Sequence, residues 1–164
     1  DPKLCNNKRI IKCENVTQVR RGITLFADVQ GSCFYPKGNR LLYGPNQTIN
    51  DTFSHEQNLI IQENNRIVLI AGCAHRGIVN IIAKSIEIIG TKPTHVLAGM
   101  HLTKSGLNDE EEQQFIRKLA ERLKIYRETK FYTMHCTGIE RYTMLKSYMG
   151  NQIEYLSCGE SIEI

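Results

Sequence analysis

The hydrophobic rhythm of the chain changes near residue 66, and the change separates two kinds of predicted element. Before it, short apolar runs stand between clusters of Gly, Pro and Asn: R-I-I-K-C at 9–13, I-T-L-F-A-D-V at 23–29 and R-L-L-Y at 40–43, with G-S-C-F-Y-P-K-G-N and Y-G-P-N-Q between them. Runs of this length bounded by turn-forming residues predict short strands. Two further runs, near 58–62 and 66–71, flank Asn64-Asn65. Asparagine tolerates the left-handed backbone of a tight turn, so this segment predicts a hairpin.

From Gly77 the period becomes helical, with Ile78, Ile82, Ile86 and Ile89 on one face and Gly90 placed to stop the helix. A second helix is predicted from Asn108, with acidic residues in its first turn, Glu111 three positions on, an apolar face of Phe115, Leu119 and Leu123, and basic residues towards its end. Thr137 and Glu140 have capping-box spacing and predict a third helix, through Tyr142, Leu145 and Met149 to Gly150. A strand pair, Q-I-E-Y-L and S-I-E-I, closes the chain. Strands alternating with helices require crossover connections, so the prediction is one α/β domain with a largely parallel sheet. Residues 1–65 form its β-rich segment and 66–164 a βαβαβαβ segment. No internal repeat, low-complexity tract or linker interrupts it.

Composition narrows the class. The chain has 164 residues and a formal net charge of +4, with basic and acidic side chains interspersed instead of gathered in a basic block. Nucleic acid is therefore not indicated. No apolar stretch approaches the roughly twenty residues needed to span a bilayer, and D-P-K-L-C-N-N-K-R lacks a signal-peptide hydrophobic core, so no membrane partner and a cytoplasmic location are expected. The six cysteines show no C-x-x-C pair and no dense secreted-type framework, which predicts reduced thiols.

Three β-rich runs end in a small-residue turn that carries a histidine: R-I-V-L-I-A-G-C-A-H at His75, T-H-V-L-A-G-M-H at His101 and F-Y-T-M-H-C-T-G at His135. Neighbouring parallel strands would bring all three imidazoles to one carboxyl edge of the sheet, where open α/β folds bind ligands. Converging neutral imidazoles suit a metal ion. A lone histidine after a strand is more often a hydrogen-bonded turn residue than a ligand, but three in consecutive βα units favour a common site. Cys73 and Cys136 lie within two residues of these histidines, which leaves room for a thiolate ligand, a nucleophile or an ordinary small buried residue. His95, just inside a strand, is expected to pack or hydrogen-bond. His55 and Glu56, in D-T-F-S-H-E-Q-N-L, either orient the ligands or cap a loop.

G-C-A-H-R-G-I-V-N-I, A-G-M-H-L and H-C-T-G, in that order and at this spacing, resemble the second half of the metallo-β-lactamase superfamily. The chain is most similar to the branch of dihydropterin methyl-ribofuranosylaminobenzene phosphate synthase-like metallohydrolases, and the likeness extends over D-T-F-S-H-E-Q-N-L and the terminal G-E-S-I-E-I. The resemblance implies an αββα sandwich, a mixed sheet flanked by helices, with two metal ions, usually zinc, along one edge. It implies that metal-bound hydroxide acts on a phosphorylated or ester-like small molecule. By motif, His75 would hold the first metal and His135 help hold the second. His101 falls where many members place a bridging carboxylate, so it is either a substitute ligand or a substrate contact. Arg76 and Lys104 would meet an anionic substrate or remain exposed loop charge.

The family's H-x-H-x-D-H motif, which supplies most of the metal ligands, does not occur in this sequence. The chain therefore looks like the C-terminal half of a longer protein whose N-terminal half is its partner. Alone it is expected to be inactive, to hold metal partially or not at all, and to self-associate through an uncovered sheet face. The competing readings are a non-catalytic α/β binding or assembly module with structural histidines and, more weakly, a thiol enzyme using Cys73 or Cys136.

Overall fold

The computed structural model describes residues 7–103, 106 and 108–164. Its strands are β1 (Val16–Arg20), β2 (Ile23–Phe26), β3 (Asn58–Glu63), β4 (Arg66–Ala71), β5 (His95–Ala98), β6 (Lys130–Thr133) and β7 (Ile153–Tyr155). They lie in chain order in a single sheet. β1 to β4 form an antiparallel meander, and from β4 onward every pairing is parallel. The parallel strands are linked by α1 (Ile78–Ile89), α2 (Asp109–Lys124) and α3 (Ile139–Met149). The fold is α/β with a mixed sheet. The hairpin forms where the asparagine pair places it: Glu63 pairs with Arg66, and Asn64 takes φ 51°.

The register separates the two faces of the sheet. One row runs Thr24, Ile60, Leu69, Val96, Phe131, Ile153, and the next runs Phe26, Asn58, Ala71, Ala98, Thr133, Tyr155. The apolar members of these rows other than Tyr155 are buried in one cluster with Ile81 and Ile82 of α1, Ile116, Leu119 and Leu123 of α2, and Leu145 and Met149 of α3. The helices therefore cover this face. On the opposite face, Leu25, Leu59, Ile70, Leu97 and Tyr132 form a cross-strand row, with Ile23, Ile61, Val68 and His95 beside it. All but Tyr132 are only half-buried, and no described helix packs over them.

Helix boundaries follow local chemistry. α1 is stopped by Gly90, which takes the left-handed conformation at φ 79°. α2 opens with a complete capping box, Asn108 accepting from the Glu111 N–H while the Glu111 carboxylate accepts from the Asn108 N–H. α3 departs from expectation, since its cap is Gly138 and no side chain caps it. Thr137 is instead fully buried, its hydroxyl bonded to Thr133 and accepting from the Met100 N–H. The turn after β6 draws that hydroxyl inward to satisfy strand-end groups, which a buried site demands more strongly than a helix end in water.

Several short runs do not form the strands their composition predicts. R-I-I-K-C is not a strand, and its Ile11 is 83% exposed, with no surface to pack on. R-L-L-Y contributes instead to a 3-10 turn, Lys37–Leu41, and an isolated bridge at Tyr43. β2 ends at Phe26, and Asp28 turns to φ 50°. S-I-E-I pairs with no described strand, so β7 is the last strand described. β-propensity in a run of four needs a neighbour to become a strand. No described helix is long and apolar enough to cross a membrane.

Candidate metal centre

β4, β5 and β6 end on one level, where Ala71, Ala98 and Thr133 are paired in register. The Gly99 N–H donates to the Gly72 carbonyl at 2.8 Å and extends the ladder one step. Beyond it the chain folds back sharply in all three turns, and Ala74, His101 and His135 take φ of 54°, 45° and 51°. Non-glycine residues in this region store backbone strain, on the order of 1–3 kcal/mol each, and such positions gather at functional sites.

His75 and His101 meet there, with ring centroids 4.2 Å apart. His75 is tightly located. Its ring stacks on Phe53 at 4.3 Å with the planes 4° apart. The Asn39 amide nitrogen donates to the His75 carbonyl at 2.7 Å, which fixes the amide so that its oxygen faces His75 Nδ1 at 2.9 Å. Nδ1 must then carry the proton, and Nε2 keeps the lone pair a metal would use. The Glu56 carboxylate accepts from the N–H groups of both His75 and Arg76, at 2.7 and 3.0 Å, and so pins the turn that carries the ligand.

Both imidazoles favour the neutral form. His75 is lowered below the usual histidine value by burial, opposed by Asp51 and reinforced by His55. His101 is lowered to about 4, first by burial and then by His75, against an opposing pull from Glu56. Buried His101 Nδ1 has no hydrogen-bond partner among the described residues. An unsatisfied ring nitrogen among uncharged imidazoles is the arrangement a cation completes.

His135 stands in a neighbouring cluster. Its Nδ1 lies 3.6 Å from Cys73 Sγ, and the ligand atoms of Cys73, His135 and Cys136 all fall within 4.8 Å of one another. The His101 N–H donates to Cys136 Sγ at 3.3 Å and joins the cluster to the imidazole pair. Burial pushes the Cys136 thiol up to about 12 in the metal-free chain. A cavity of about 510 Å³ opens beside His135, lined also by Met134, Tyr155, Leu156, Ser157 and Cys158. A larger hollow, about 580 Å³, lies at the opposite end of the strands around Asn65, Pro93 and Glu128, away from all of these groups.

This combination of a mixed sheet, three crossover helices on one face and ligand-type side chains at the strand ends is found in a known architecture. The chain superposes with a TM-score of 0.70 on the crystal structure of a metal-dependent hydrolase of the β-lactamase superfamily, covering 94% of this chain and 58% of that one at 24% identity. It has the metallo-β-lactamase fold. Over 114 residues, 69% of its length, it is 29% identical to the 7,8-dihydropterin-6-methyl-4-(beta-D-ribofuranosyl)-aminobenzene-5'-phosphate synthase of Methanocaldococcus jannaschii, of which the match spans 37%. The chain thus covers little more than a third of that relative and under three fifths of the solved hydrolase. No protein-family model matches it.

The remaining residues singled out from the sequence divide by position. The Arg76 guanidinium donates to the carbonyls of Val29, Thr52 and Gly31 and lies over the Tyr35 ring, 5.6 Å from its centroid, so it clamps the loops beside the site together. His55 is exposed, near Asp51 at 3.7 Å. His95 is at the far end of β5 with its Nδ1 against the Thr94 hydroxyl, and so is remote from the strand-end cluster. Lys104 lies outside the described residues. Asn39 and Phe53 carried no sequence signal as site residues, because each reaches His75 from a loop 22–36 positions away.

Proposed function

We propose that the chain is the C-terminal part of a metal-dependent hydrolase or transferase acting on a phosphorylated or ester-like small molecule. The observation that carries this reading is the contact of His75 and His101 at the ends of adjacent parallel strands, both held neutral, with one tautomer set by Asn39. The likeness to a metal-dependent hydrolase supports the reaction class, and the phosphate in the name of the Methanocaldococcus relative supports the substrate class.

His75 Nε2 and His101 would hold one metal and His135 would help hold a second, with zinc favoured by imidazole donors. A bound divalent ion supplies Lewis acidity and makes water a stronger acid. The chain's own residues prepare that chemistry. Asn39 orients the His75 ring, Glu56 fixes its turn, and Phe53 excludes water from one ring face. The remaining ligands would come from the N-terminal half of a longer protein, whose sheet would cover the half-exposed row at Leu59, Ile70 and Leu97.

The test is ester hydrolysis by the full-length polypeptide that carries this chain, assayed on phosphate and carboxylate esters before and after chelation. Activity lost on chelation, restored by metal, and absent in His75→Ala and His135→Ala is expected. Hydrolysis indifferent to chelation, or full metal content in both variants, would overturn the reading.

A further inference from the structure

The cysteine pair at the strand ends has no place in a three-histidine site, yet the backbone is built to bring it together. Cys73 follows β4 and His135 follows β6, with β5 between them. Flanking strands stand about 10 Å apart, twice the spacing of neighbours. Their side chains nonetheless close to 3.6 Å above β5. Gly99 makes this closure feasible, because a Cβ there would fall 2.6 Å from Cys136 Sγ, 3.1 Å from the Gly72 carbonyl oxygen and 3.4 Å from Cys73 Cα.

We propose that Cys73, His135 and Cys136 form a thiolate–imidazole site for one thiophilic divalent cation of the zinc class, made wholly from this chain. Zinc binds thiolate sulfur at about 2.3 Å and imidazole nitrogen at about 2.05 Å, and at the tetrahedral angle two such donors sit about 3.6 Å apart. The Cys73–His135 separation already has that value. Cys136 Sγ lies within 4.8 Å of both and would supply the third donor. The His101 N–H at 3.3 Å would support the charge on its sulfur, as hydrogen bonds behind a ligand commonly do. Binding releases the thiol protons to solvent and forms two metal–sulfur bonds and one metal–nitrogen bond, with no change of oxidation state. Three donors from the chain would leave a tetrahedral ion one position for an exogenous ligand, and a cavity opens beside His135. The inference shares His135 with the function proposed above but does not require the hydrolase reading.

Cobalt(II) titration of the reduced chain under anaerobic conditions tests it, because thiolate ligation produces a near-ultraviolet sulfur-to-cobalt charge-transfer band that imidazole ligation does not. A band saturating at one equivalent, lost in Cys73→Ser and in Cys136→Ser and retained in His75→Ala, is expected. Binding without the band, or a band unchanged in either serine variant, would overturn it. X-ray absorption of the unmutated zinc complex gives a reading independent of whether those variants fold: two sulfurs at about 2.3 Å are expected, and a shell of nitrogen and oxygen alone would overturn the proposal. Failure here leaves the imidazole centre standing, and hydrolysis by the full-length protein that is indifferent to chelation leaves this site standing.

Discussion

Asn39 shows how much one buried side chain decides. It is 3% exposed and spends both ends of its amide on His75, one on the carbonyl and one on the ring. Asn39→Ala should free the imidazole to take either tautomer, weakening zinc binding at His75 by about 10–100-fold in a chelator competition. It should also lower stability by about 1–3 kcal/mol, because the His75 carbonyl loses its donor. His101 makes a second prediction. In the metal-free folded chain it titrates at about 4, against 6.5 for an unperturbed histidine. Between those values the unfolded chain binds a proton that the folded chain refuses, so stability is full above pH 6.5 and falls as pH drops towards 4. His75, also lowered by burial, acts in the same direction. Urea midpoints measured across that window should decline for the unmutated chain and decline less for His101→Gln. The three histidines were legible as strand-end residues because each follows an apolar run and a small-residue turn. Asn39 and Phe53 were not, because nothing local marks a residue that acts only through a ring brought to it by folding.

At the level of elements, the helices with several agreeing signals formed as expected, while among the predicted short strands those at 9–13, 40–43 and 161–164 did not. α2 combines a capping box, an acidic first turn and a basic last turn with a regular apolar face, so no single feature has to carry it. Asn108→Ala should cost about 1 kcal/mol in chemical denaturation, the usual value of such a cap. Thr137 and Glu140 gave the same spacing for α3, but the Thr137 hydroxyl is used inside the strand-end turn. Spacing identifies a possible cap without revealing competing partners. The close approach at the end of β5 makes a further prediction. Gly99→Ala would press a methyl group against Cys136 Sγ and the Gly72 carbonyl, costing about 1–3 kcal/mol by overpacking. The cobalt charge-transfer band should weaken in the same variant, since Cys136 would have to move.

For the whole molecule, the unequal faces of the sheet matter most. Helices bury the apolar core of one face, while the row Leu25, Leu59, Ile70, Leu97, Tyr132 has no described helix above it. An apolar surface of this extent tends to find a partner. The isolated chain is expected to sediment as an assembly larger than its 18.8 kDa protomer at micromolar concentration. Leu97→Glu, within this row, should return it to a monomer without unfolding it; an unmutated chain that sediments as a monomer would show that the face is tolerated in water.

By itself the sequence determined the α/β class, the three crossover helices, the central hairpin and the placement of His75, His101 and His135 after β4, β5 and β6. These depend on periodicity and turn chemistry, which operate over a few residues. Tertiary structure alone decided that His75 pairs with His101 while His135 joins two cysteines. The reason is register: strand pairing sets the level of each turn, and a missing Cβ at Gly99 lets groups from β4 and β6 meet across the strand between them.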